Sequence, residues 1–202
     1  MYLVRPSYLI KQLYPNAVWR KDELQKKIYL TFDDGPVPEV TPWVLDLLRQ
    51  HDIKATFFCV GANVEKYPEV YKRILAEGHS VGNHTHNHLN GWETKSENYF
   101  DNIENCAQLV STRLFRPPYG RMKRAQRAYL GDRYSIVMWD VLSGDYDKST
   151  SAEKCLENVV AHTRNGSIIV FHDSIKASQN LVYTLPRFIE HSLKEGFEFG
   201  CL

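Results

Sequence analysis

The chain has 202 residues, 43% of them hydrophobic and 24% charged, enough for one folded globular domain with a full core. A formal net charge of +1, with no Lys/Arg block standing out, gives no field that favours nucleic acid or an anionic membrane. No segment approaches the length and apolarity of a membrane-spanning helix.

The N-terminal arm, residues 1–26, opens without a secretory h-region because Arg5, Pro6 and Lys11 interrupt it, so the sequence reads as cytoplasmic. After the arm, short apolar runs alternate with helical patterns, the signature of βα units and a largely parallel sheet. Lys27 to Phe32 is a strand ending at Asp33-Asp34, and Gly35-Pro36 breaks it. Thr41 as N-cap and Pro42 at the first helical position open a helix burying Val44, Leu45, Leu47 and Leu48. Ala55 to Val60 is the second strand. The helix from Pro68 turns Val70, Ile74 and Leu75 inward and ends at Gly78. Ser80 to Asn83 is a third strand. A helix of about four turns carries Tyr99, Phe100, Ile103, Cys106, Leu109 and Val110 and leads into the strand Leu114 to Arg116. Pro117-Pro118 stops regular structure. A helix over 121–130 and a strand from Tyr134 to Trp139 follow, then a polar loop over 143–149. Thr150 and Glu153 form a capping box for a helix with Cys155, Leu156, Val159 and Val160. Ser167 to Phe171 is the most apolar strand and ends at His172-Asp173. A helix near Leu185 to Lys194 and a strand from Phe197 to Phe199 complete the pattern. Cys59, Cys106, Cys155 and Cys201 are scattered, with no C-x-x-C pair, and read as reduced small hydrophobes.

The reactive residues share one position in this pattern. Asp33-Asp34, His84 to His88, Arg116, Asp140 and His172 each fall at or just past the C-terminal end of a different strand, where parallel βα folds build active sites. His84-Thr85-His86-Asn87-His88 offers three imidazoles, and a helical turn would bring His84 and His88 to one side as metal ligands, leaving His86 to a supporting or structural role. One aspartate added to two histidines makes a three-ligand set with open positions, the catalytic rather than the structural pattern for zinc. Asp33 and Asp34 then need different tasks, since a ligand carboxylate is locked while a general base stays free. The residues alone do not order them. His172 fits a proton donor held charged by a carboxylate; Asp140 is the candidate partner, and Asp173 fits a cap on the following loop. Arg116 supplies a fixed cation, and the rigid Pro117-Pro118 turn aims the Tyr119 N–H as an oxyanion donor. His51, His79, His162 and His191 fall within or beside helices, where surface packing is expected.

Together these segments resemble the polysaccharide deacetylase family, the NodB-homology or carbohydrate esterase family 4 domain, from residue 27 to about residue 199. Five motifs occur in the family's order: Thr31-Phe32-Asp33-Asp34-Gly35-Pro36, His84-Thr85-His86-Asn87-His88, Arg116 to Tyr119, Asp140 to Tyr146, and Val170-Phe171-His172. The resemblance implies an α/β fold, a distorted (β/α) barrel of about seven mostly parallel strands over 27–202, with the arm packed on it. It implies Asp33 as general base, Asp34, His84 and His88 as ligands of a divalent metal, Zn2+ first, with Co2+, Ni2+ or Mn2+ as alternatives, and Arg116 as orienter of the base. His172, held by Asp140, would protonate the leaving amine. The activity implied is removal of acetyl groups from N-acetylated amino sugars, as in peptidoglycan or chitin-like oligomers. Tyr146 replaces the usual tryptophan of the fourth motif and Val170 the leucine of the fifth, both at the acyl pocket, while Trp92, Tyr119 and Tyr146 are candidate sugar platforms. Two other readings stand beside this one: a metal-dependent deacylase of a non-sugar amide, and a carbohydrate-binding module without catalysis.

Overall fold

The structure is a computed structural model describing residues 3–21 and 24–202; residues 1–2 and 22–23 of the expected arm lie outside the described residues. Strand β1 (Lys27–Asp33), rich in aromatic and β-branched side chains, sits mid-sheet between β2 (Thr56–Cys59) and β7 (Ile168–His172). The sheet continues through β3 (Ser80–Asn83), β4 (Leu114–Phe115), β5 (Ser135–Ile136) and β6 (Val141–Leu142) in the order β5-β4-β3-β2-β1-β7-β6, while β8 (Glu198–Phe199) pairs with the start of β1. These strand pairs are parallel, so their C-terminal ends emerge on one side. The register then aligns the reactive positions. Asp33 lies opposite both Phe58 and His172, and Asn83 opposite both Cys59 and Phe115, which places His84 and Arg116 one residue past a common row.

Helices α2 (Thr41–Gln50), α3 (Gly61–Lys66), α4 (Pro68–Ala76), α5 (Ser96–Ala107), α6 (Arg124–Leu130), α7 (Ala152–His162) and α8 (Ser178–Lys194) connect the strands. Ile28, Leu30 and Phe32 pack with Phe57, Phe171, Leu45, Leu48, Leu185 and Phe188 in the main core, and burial of each such side chain contributes about 1.5–3 kcal/mol. Tyr14, Trp19, Tyr99, Ile103, Phe115, Leu130 and Met138 form a second cluster. Cys59, Cys106 and Cys155 are buried and all four thiols are free. Burial pushes the Cys106 and Cys155 thiols up to about 12, so both behave as the apolar groups expected of them.

The arm contains a helix the sequence pattern did not announce, α1 (Tyr8–Leu13), begun by the Ser7 hydroxyl accepting the Ile10 N–H. It spans both free edges of the sheet. The Val18 N–H donates to the Ile136 carbonyl and the Met138 N–H to the Val18 carbonyl beside β5; the Leu142 N–H donates to the Val4 carbonyl beside β6. Each of these three bonds is 2.8 Å long. The arm thus closes the gap between the two ends of a curled sheet and satisfies edge groups that would otherwise lie bare.

Several local expectations shift. Thr41 lies inside α2, its hydroxyl committed to other partners, and Val40 takes the cap position. Ser151, one residue after Thr150, caps α7. Leu75 is exposed, because α4 presents a narrower face to the core than its apolar spacing suggests. Helix α8 starts at Ser178, seven residues before the expected 185, and carries Pro186 inside it. Helix α3 and strand β6 are too short to leave a periodic signal.

Candidate active site

Arg116, the largest fully buried side chain, organises the site. Its Nη1 donates to Asp33 Oδ1 at 2.6 Å and to the Thr31 hydroxyl at 2.8 Å, while Nε and Nη2 donate to the Val137 and Met138 carbonyls at 3.3 and 2.9 Å. The Phe58 ring lies beneath the guanidinium, 4.1 Å from its carbon. A rigid, satisfied cation therefore fixes one oxygen of Asp33, a carboxylate only 5% exposed. The Arg116 carbonyl accepts the His84 Nδ1–H at 2.7 Å, which leaves His84 Nε2 as a lone pair facing the cleft. Burial pushes the His84 imidazole down to about 4, so it is neutral and able to ligate.

Asp34, His84 and His88 each offer one donor atom, all within 4.8 Å of one another. Asp34 Oδ1 is shielded from solvent yet has no well-formed hydrogen bond among the described residues, although His88 Nε2 and His84 Nε2 stand 3.2 and 3.8 Å away. Burial pushes the Asp34 carboxyl up, but contact with His88 and the charges of His172 and His84 outweigh it and hold the group well below the usual carboxylate range. A carboxylate oxygen without a hydrogen, ringed by two imidazole nitrogens, suits a divalent cation.

The histidine segment is an irregular loop, not the helical turn expected, with Thr85 and His88 in the left-handed region at φ 62° and 54°. The His84 and His88 rings still approach to 5.0 Å. Asn102 of α5 holds the loop in this shape: its Oδ1 accepts the His86 and Asn87 N–H groups, and its amide donates to Asn87 Oδ1. An asparagine on the apolar stripe between Tyr99 and Ile103 was the sequence signal for that duty. His86 turns away toward Glu65, with Nε2 3.8 Å from the carboxylate, as its supporting role requires. His79 is a correction: it packs inside, edge-on to Phe57, with Nδ1 accepting the Ala55 N–H.

His172 has a different partner from the one expected. Asp145 Oδ1 accepts its Nδ1–H at 2.8 Å, and Asp145 Oδ2 accepts its backbone N–H at 2.8 Å. Burial pushes the imidazole down, but the Asp145 carboxylate and its hydrogen bond, with Asp34 and Asp33 behind, raise it to about 9, so it carries a proton at neutral pH. Asp140 instead faces away from His172. It accepts from Arg164 Nε and Nη2 at 3.0 Å each and from the Ser167 hydroxyl at 2.9 Å, with Arg5 and Lys11 of the arm at 3.5 and 3.7 Å. Asp140 immediately precedes β6 and Asp145 follows it by three residues, so the strand lies between the two roles and the turn beyond it brings Asp145 to His172. Asp173 ties down the loop after Asp34: its carboxylate accepts the Gly35 N–H at 3.0 Å and the Thr41 O–H at 2.6 Å.

These groups open on one cleft of about 660 Å3, lined by Asp33, Asp34, His84, His88 and His172 together with Trp92, Tyr119, Tyr146 and Val170. Tyr119, at φ 60° in the turn Pro118–Gly120, stands edge-on to His88 at 4.7 Å; Tyr146 stands edge-on to His172 at 4.8 Å. Leu3, Pro6, Ile10 and Leu13 of the arm add an apolar wall.

A family model described as "Polysaccharide deacetylase" matches residues 20–132, more than half of the chain. The chain belongs to the polysaccharide deacetylase family. Among curated members, a peptidoglycan-N-acetylglucosamine deacetylase of Bacillus cereus is 38% identical over 184 residues, covering 87% of this chain and 66% of that protein. A second B. cereus protein of the same description is 34% identical over 200 residues, covering 95% of this chain and 94% of that protein. The crystal structure of the Bc1960 peptidoglycan N-acetylglucosamine deacetylase superposes with a TM-score of 0.86 at 32% identity, covering 98% of this chain and 95% of that one. The curled parallel sheet is thus the deacetylase family's distorted barrel. Among the described residues no helix is long and apolar enough to cross a membrane.

Proposed function

We propose that the chain is a metal-dependent hydrolase that removes the acetyl group from N-acetylated amino sugars of an N-acetylglucosamine-containing polysaccharide, with residues 27–202 as the catalytic unit. The observation that carries this reading is the pairing, across one cleft, of an Arg116-fixed Asp33 with an Asp145-held His172. Asp34, His84 and His88 would hold the divalent cation, Zn2+ by the chemistry of two imidazoles and a carboxylate, and it would acidify water and polarise the acetyl carbonyl.

The chain's own groups then move the protons. Asp33, with one oxygen held by Arg116, accepts a proton from the attacking water on its other oxygen as the new C–O bond forms. The backbone N–H of Tyr119, in the turn after Pro117, would donate to the oxyanion, and a donor of this kind contributes about a hundred- to a thousandfold in rate. The C–N bond breaks as His172 transfers its Nε2 proton to the amine, and Asp145 stabilises the imidazolium until then. Acetate and a free amino sugar result. Trp92, Tyr119 and Tyr146, which line the cleft, would serve as sugar platforms, and Val170, also in its lining, would bound the acyl group.

Acetate release from N-acetylglucosamine oligomers and peptidoglycan fragments tests the reading. Turnover that needs a divalent metal and disappears in Asp33→Asn supports it. Metal-loaded protein that releases acetate from neither, yet cleaves a non-sugar amide, replaces the substrate class.

A further inference from the structure

Residues 105–131 contain Arg113, Arg116, Arg121, Lys123, Arg124 and Arg127 and no Asp or Glu, a local excess that the net charge of +1 conceals. Arg116 is buried against Asp33, but Arg121, Lys123 and Arg124 are exposed and Arg127 half-buried. None of these last four forms an ion pair among the described residues. Two of them are pinned by uncharged acceptors, Lys123 Nζ by the Thr94 carbonyl at 2.7 Å and Arg127 by the Leu13 carbonyl of the arm. Their charges stay uncompensated while their positions are fixed.

Arg121 is the member nearest the chemistry. It lines the catalytic cleft and also an adjoining depression walled by His88, Asn90, Glu93 and Tyr119, in which Glu93 is the one carboxylate. Its guanidinium lies over the Trp92 ring at 5.0 Å, and the Trp92 indole N–H is anchored on the Met122 carbonyl at 3.1 Å. A glycan leaving the metal triad over Tyr119 therefore passes a guanidinium seated over an aromatic ring. A planar fork of donors suits a carboxylate better than a neutral hydroxyl, and stacking on Trp92 reduces the ordering cost of binding one.

We infer that Arg121 forms a carboxylate-binding subsite at the rim of the cleft, selecting acetylated glycans that bear carboxylates over neutral ones. This rests on the deacetylase reading of the same cleft and narrows its substrate class.

The test is calorimetric binding, in the presence of a chelator, of a peptidoglycan fragment with free stem-peptide carboxylates and of a neutral N-acetylglucosamine oligomer of equal sugar number. Wild type should bind the carboxylated fragment roughly tenfold more tightly at low salt, the scale of one charge-assisted contact, and lose that preference as salt screens it. Arg121→Gln, a change at an exposed position, should bind the two ligands alike, with an unchanged unfolding midpoint. Equal binding of both ligands by wild type, or a loss in the Arg121→Gln variant that is the same for both, overturns the subsite. So does binding to anionic lipid vesicles with no preference between the glycans. Acetate release measured in parallel with metal separates the two claims: a preference without turnover removes the deacetylase reading and leaves the subsite standing.

Discussion

Asp145 meets His172 with both carboxylate oxygens, one on the ring and one on the backbone, so it sets the imidazole's orientation as well as its charge. Because the folded imidazole titrates near 9, above its ordinary 6.5, the pair stabilises the fold fully below about 6.5 and that contribution fades as pH rises through about 9. A rate that needs His172 protonated should therefore fall as pH climbs through about 9. In Asp145→Asn the fall should move down by about a unit or more, read from a pH profile of acetate release. A profile that does not move would assign the proton elsewhere. Asp33 and Asp34 separate by a different measurement. Arg116 already compensates Asp33, whereas Asp34 keeps an unpartnered oxygen toward His84 and His88. Asp33→Asn should thus retain metal and lose turnover, while Asp34→Asn should lose metal itself; equal metal content in the two variants, measured by elemental analysis, would refute the division. This division could not be ordered from two adjacent carboxylates, since it depends on Arg116, which is 83 residues away.

At the scale of elements, the loop from Asp34 to Thr41 is held by the buried Asp173, and Gly35 is the residue that permits it. A Cβ at position 35 would overlap the Asp173 carboxylate. Gly35→Ala should destabilise the fold by about 1–3 kcal/mol and weaken metal binding by displacing Asp34, both visible in denaturant titrations with and without metal. Asp140 serves the arm in the same way. Its replacement by Ala should cost about 3 kcal/mol, the low end for breaking a buried pair because Arg164 can still reach water. Chevron analysis placing that loss in unfolding, with His172's pH profile untouched, would distinguish its anchoring role from a catalytic one. The strand ends and their reactive residues were legible because β1, β2 and β7 carry strong apolar runs. The partner of His172 was not, because β6 is two residues long and hides the point at which the chain leaves the sheet and turns back. The unusual backbone at Thr85, His88 and Tyr119 was equally silent, since no glycine marks it.

For the molecule as a whole, the cation should act as a stabilising ligand. Metal at a hundred times its Kd raises folding stability by about 2.7 kcal/mol, a shift in melting temperature that Asp34→Asn should abolish and that Arg121→Gln should leave in place. The chain's length and apolar content pointed to one globular domain and the family resemblance to a barrel, but nothing in the arm's sequence said that it would join both ends of the sheet. That closure gives the arm an unusual history. Residues 4 to 18 leave the ribosome ahead of every strand they join, yet Val4 pairs at Leu142 and Val18 at Ile136 and Met138. Such distant pairings wait until most of the chain has been made and the sheet has curled enough to bring its ends together. A segment synthesised before the strands it joins is in this way among the last to settle, and until it does, the cleft lacks the wall that Leu3, Pro6 and Ile10 provide.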